Sequence, residues 1–101
     1  MTFRELALSF PNSTEEAHFE KTSFRVNKKI FATLNKNESE AVLKLSLIDQ
    51  DVFNKMSSGI FRPVPNKWGS HGWTVIELQN VDIDMLKDGL RCAYDEVLKA
   101  K

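Results

Sequence analysis

Residues 41–47 read Ala-Val-Leu-Lys-Leu-Ser-Leu, and the fold turns on how that run is read. Ala41, Leu43, Leu45 and Leu47 fall on one side, with Val42, Lys44 and Ser46 on the other. A period of two marks a strand, where a helix would repeat every 3.6 residues. One leucine-lined side and one side carrying a lysine predict an antiparallel sheet with one covered face and one partly open face. Thr33, in the preceding extended run, points the same way.

Toward the N-terminus, Phe24 and Val26 alternate with Arg25, Asn27-Lys28-Lys29 reads as a hairpin turn, and Ile30-Phe-Ala-Thr-Leu34 resumes extended. Before that lies the acidic run Glu15-Glu-Ala-His-Phe-Glu20, where strand alternation puts Glu16 and His18 on one face and Glu15 on the other. The chain opens with Phe3, Leu6, Ala7 and Phe10 at helical spacing. Thr2-x-x-Glu5 has the form of a capping box, and Pro11-Asn-Ser13 ends the helix.

Toward the C-terminus, Asp49 is the expected cap of a short helix carrying Val52, Phe53 and Met56, stopped near Gly59. Pro63 and Pro65 restrict the next stretch to edge or irregular extended structure. Residues 73–78, Trp-Thr-Val-Ile-Glu-Leu, are β-branched and aromatic and read as a strand. The longest helix is predicted over 83–99, capped by Asp82, with Ile83, Leu86, Leu90, Ala93, Tyr94 and Val97 as its apolar stripe. The whole is a single two-layer α+β domain spanning 1–101. Its antiparallel sheet has about five strands, and its helices cover one face.

Composition narrows the function classes. At 101 residues, with 42% hydrophobic and 28% charged residues, the chain is globular and long enough for one core. No apolar run approaches the roughly 20 residues of a membrane helix, and the N-terminus lacks a basic segment followed by an apolar one. Cys92 has no partner for an internal disulfide, which fits a reducing compartment, so a cytoplasmic location is expected and no membrane role. Fourteen basic and fourteen acidic residues give zero formal net charge, whereas nucleic-acid-binding domains usually show a basic excess.

The chemistry-bearing residues are few. Cys92 sits beside the apolar stripe of the last helix with no sequence-adjacent base, which reads as structural. Glu15, Glu16, His18 and Glu20 lack the second histidine at ligand spacing that a metal site shows, so neither metal nor cofactor is expected. No phosphate loop, nucleophile elbow or zinc-protease motif occurs, and no enzymatic activity is expected. The segment Val64-Pro-Asn-Lys-Trp-Gly-Ser-His-Gly-Trp-Thr74 is a shaped turn in which Trp73 faces or flanks the core. Trp68, beside Lys67 and near His71, is the more exposed ring. It either covers a sheet edge or stacks on a base or peptide. Arg25, Lys28 and Lys29 in one hairpin, and Arg62 and Lys67 in the other β-connection, either touch phosphates as two wings or simply protect edges and solubility.

These pieces resemble the MmcQ/YjbR-like proteins over nearly the whole chain. The resemblance is carried by the run from Leu6 to Val26, by Lys28-Lys-Ile-Phe-Ala-Thr-Leu34, by Leu43-Lys-Leu-Ser46, by Pro65 to Leu78, and by Ala93-Tyr94 in the closing helix. It implies an α+β domain with a sheet of about five strands. Through likeness to a double-wing motif it also implies DNA binding, a fold-level analogy. On this chain the family pattern marks Lys29, Phe31, Lys44 and Trp73. Here Gly72 separates His71 from Trp73, where other members frequently have His-Trp.

Two functions follow as expectations. One is weak, nonspecific DNA contact through Arg25, Lys28, Lys29, Lys44, Arg62 and Lys67, with Trp68 and His71 in the same surface. The other is a module that binds another protein, a peptide or itself through the open sheet face and the Trp68 loop, with no nucleic-acid role. Convergence of Arg25, Lys28, Lys29, Arg62 and Lys67 without Glu15, Glu38 or Glu40 among them would favour the first.

Overall fold

In a computed structural model describing residues 2–57 and 59–99, the chain runs helix, four strands, helix, two strands, helix. Helix α1 is Phe3–Leu8, strands β1 to β4 are Thr14–His18, Lys21–Val26, Lys29–Leu34 and Glu40–Lys44, and α2 is Leu47–Met56. Strand β5 is Phe61–Pro63, β6 is Trp73–Glu77 and α3 is Ile83–Lys99. The sheet is antiparallel in the order β1-β2-β3-β4-β6-β5, six strands where about five were expected. The edge strand β1, over the acidic run read by strand alternation, has no buried residue. Among the described residues no helix is long and apolar enough to cross a membrane.

Local chemistry explains most boundaries. The Thr2 hydroxyl accepts from the Glu5 amide while the Glu5 carboxylate accepts from the Thr2 amide, the expected capping box. Those bonds, the Thr2 backbone first, hold the Glu5 carboxyl below its ordinary pKa. Strand β4 stops at Lys44, although its alternation runs on to Leu47. Ser46 adopts an extended N-cap conformation and its hydroxyl accepts from the Asp49 amide. Asp49 is therefore the third helical residue and Ser46 the cap. Leu47 leaves the core and is 56% exposed. Capping outweighs strand period at this point.

The same shift turns α2 around. Phe53 packs inward, stacked on Phe61 with ring centroids 4.7 Å apart, and Gln50 is buried beside it. Val52 and Met56, expected on the apolar face, point to solvent with Ile48. Helix α3 spans the predicted residues, and Asp82 caps it by accepting from the Met85 amide. Its stripe is buried apart from Ile83.

The core lies between the sheet and the helices. It is built on Phe24, Phe31, Leu34, Leu43, Leu45, Phe61, Ile76 and Leu90, all at most 2% exposed. A bulge between β2 and β3 pairs Phe24 with Ala32 but Arg25 with Ile30, leaving Phe31 as the extra residue. Phe31 turns into the helical layer against Phe10 and Tyr94, while Ile30 faces the opposite side of the sheet with Arg25.

Candidate functional site

The sheet face away from the helices is a concave groove of about 550 Å³. Registers place Thr33, Val42 and Val75 side by side across β3, β4 and β6, and Ile30 and Trp73 line the same groove. These side chains form an apolar floor. Trp68 and Val64 wall it on the β5–β6 side, and His18, Lys21 and Glu40 close the other end.

The loop carrying Trp68 is fastened from three directions. The Lys44 ammonium donates to the His71 carbonyl at 2.6 Å, and the Leu45 amide donates to the Gly72 carbonyl at 3.0 Å. From α2, the buried Gln50 amide donates to the Gly69 carbonyl, the Trp73 carbonyl and the Thr74 hydroxyl at 3.0–3.2 Å. Within the loop, the Trp68 amide donates to Asn66 Oδ1 at 2.9 Å, and residues Gly69–His71 form a 3-10 turn closed by Gly72 at φ +99°. Despite this anchoring the Trp68 ring stays 54% exposed. A loop built this tightly around an exposed indole presents that ring at low conformational cost.

Gln50 carries much of the anchoring and was not singled out in the sequence. The available signal was its place one helical turn before Phe53, on the buried face. Replacing it with leucine should destabilise the fold by about 2 kcal/mol, since the Gly69 and Trp73 carbonyls and the Thr74 hydroxyl lose their side-chain donor from α2. The melting temperature followed by circular dichroism should fall by roughly 10 °C.

The predicted cations are only partly brought together. The β2–β3 turn with Lys28 and Lys29 and the β5–β6 loop with Lys67, Trp68 and His71 emerge from the same end of the sheet. Neither 26–30 nor 64–74 contains a carboxylate. The Lys67 ammonium lies 6.0 Å from the Trp68 ring centroid, and the His71 ring is 6.4 Å from it. Arg25 instead pairs with Glu16 at 3.8 Å and donates to the Ser23 hydroxyl, while Arg62 pairs with Glu40 at 3.2 Å. Carboxylates therefore interleave with the cations on the open face. Lys44 acts as a loop fastener, donating to a backbone carbonyl.

Elsewhere, burial and then the nearby Asp49 push the Cys92 thiol up to about 11, the reverse of an activated nucleophile. Among the described residues no three His, Cys, Asp or Glu side chains gather as a metal site. Sequence reading passed over Phe19, which sits at the β1–β2 turn with φ +59° and is 94% exposed.

Comparison with known proteins places this architecture. No curated protein matches the chain. A crystal structure of the Deinococcus radiodurans protein DR2400, a DUF419 domain, superposes with a TM-score of 0.82. It has 21% identity over 95% of this chain and 75% of the other, a likeness of fold. The YjbR family model matches residues 8–96, from the end of α1 through nearly all of α3. The chain belongs to the YjbR family.

Proposed function

We propose that the chain is a non-enzymatic binding module of the cell interior whose working surface is the Trp68 groove, and that the groove takes an apolar-anchored segment of a protein. The observation that carries this reading is the exposed Trp68 ring, held by a tightly fastened loop against an apolar floor. Aromatic anchors beside desolvated pockets are where binding energy concentrates in protein interfaces. The flanking arginines are already matched by Glu16 and Glu40, which lowers the field that phosphates would feel.

Peptides selected by display on the chain, and counter-selected on Trp68→Ala, test this reading. Binders should carry an apolar anchor and lose at least about tenfold in affinity on the variant. Selection that returns only peptides indifferent to Trp68 would sink it.

A second reading, nucleic-acid contact, is favoured by the two carboxylate-free loops, with Lys28, Lys29 and Lys67 at one end of the sheet. Fluorescence anisotropy with a labelled duplex and a labelled single strand, over a salt series, separates the two. Affinity that falls steeply with salt, and again in Lys28→Glu/Lys29→Glu, belongs to phosphate binding. Under the first reading neither strand form binds saturably at physiological salt.

A further inference from the structure

The groove beside Trp68 has two chemically different ends, and strand register fixes which residues make them. Thr33, Val42 and Val75 form its central row, which Ser23 extends onto β2 by pairing with Thr33. Lys21 stands two residues from Ser23 and so points to the same open face, with His18 opposite it on β1. Trp73 stands two residues from Val75, on the other side of the row and three strand spacings away. One corner of the groove is therefore made of indole rings, Trp68 and Trp73. The diagonally opposite corner is an ammonium beside an imidazole, Lys21 and His18.

The charges along the groove are not equally satisfied. The Glu40 carboxylate, which lines it, is held by Arg62 at 3.2 Å, and Glu16 and Arg25 hold each other at 3.8 Å. Lys21 forms no ion pair among the described residues. Glu20 and Glu38 line a separate cavity that Lys21 also borders, yet neither pairs with it. An unmatched cation at one end of an apolar groove favours an occupant with a negative charge at that end.

Geometry sets the spacing of that charge from the apolar anchor. Lys21 and Trp73 differ by about 13 Å along the strands and about 14 Å across them, so the diagonal is roughly 20 Å. An extended chain covers about 3.3 Å per residue, and the lysine arm and the indole both reach inward. Anchor and carboxylate are therefore separated by about four to six positions. We infer that the groove's occupant is an extended acidic peptide segment, with an apolar side chain against Trp68 and Trp73 and an Asp or Glu at that interval held by Lys21 and His18. This rests on the reading of the groove as a protein-binding site and names the chemistry of the segment that fills it. Because Lys21 is exposed, the charge contact selects among partners more than it adds affinity.

A random peptide library selected in parallel on the wild type and on Lys21→Glu tests it. Wild-type binders should be enriched in Asp or Glu at the stated interval from the anchor, and should bind Lys21→Glu about tenfold more weakly. Replacing that acid by lysine in the same peptide should restore its affinity for Lys21→Glu. Lys36→Glu makes the same change of charge at a residue outside the groove and should leave wild-type binders unaffected. Both lysines are exposed, so both variants should melt with the wild type. Trp68-dependent binders without an acidic bias, or acidic binders weakened equally by Lys21→Glu and Lys36→Glu, would overturn the inference and leave the groove a binding site. A selection that yields no Trp68-dependent peptide would sink both readings together.

Discussion

Phe31→Ala should lower the unfolding free energy by about 4 kcal/mol, enough to move the melting temperature by on the order of 20 °C. Phe31 is fully buried as the extra residue of the β2–β3 bulge. Its ring meets Phe10 edge-on at 6.2 Å and Tyr94 edge-on at 5.6 Å, while Phe10 and Tyr94 stack at 4.8 Å. The Tyr94 hydroxyl donates to the Pro11 carbonyl at 2.6 Å. One side chain thus joins the segment after α1, the central sheet and α3, and a cavity there has three walls that cannot all close on it. Phe31→Leu keeps most of the volume and loses the ring geometry, so it should cost about 1.5 kcal/mol. Urea titrations of both variants give the comparison. An alanine variant as stable as the leucine variant would mean that the three-ring cluster is not part of the cooperative core.

What the sequence revealed depended on whether a residue's partners were local. Strand alternation in β2 and β6, that of β4 as far as Lys44, the Thr2–Glu5 box and the stripe of α3 from Leu86 on are local patterns, and they appear where periodicity puts them. The β1 edge has no buried residue and so no apolar alternation to read. Helix α2 packs at the β5 edge rather than across the sheet, which leaves Phe53 inside and Ile48, Val52 and Met56 outside. A periodic count cannot foresee that offset. In the site, the exposure of Trp68 was legible from its neighbours Lys67 and Gly69. The neutralisation of Arg62 was not, because Glu40 lies 22 residues away on a strand two places along the sheet. Lys44 was marked by family pattern, but its bond to the His71 carbonyl, 27 residues on, required the fold.

The same distinction between local shape and tertiary contact can be measured with two glycines. Gly59 and Gly72 both adopt φ above +90°, so alanine at either is strained by the backbone alone, by about 1 kcal/mol. At Gly59 an added methyl meets open space. At Gly72 it would run into the carbonyl of Leu45, the residue just past β4 whose amide anchors the Trp68 loop. Overpacking against backbone adds roughly 2 kcal/mol, because no side-chain rotamer can yield. Gly72→Ala should therefore lose about 3 kcal/mol and about 15 °C in melting temperature, against about 5 °C for Gly59→Ala. The Gly72 variant should also lose Trp68-dependent ligand binding at temperatures where it remains folded, since the Leu45–Gly72 bond helps set the height of the indole above the groove. Equal losses for the two glycines would mean that the loop shifts freely, and the case for Trp68 as a preorganised anchor would fail with it.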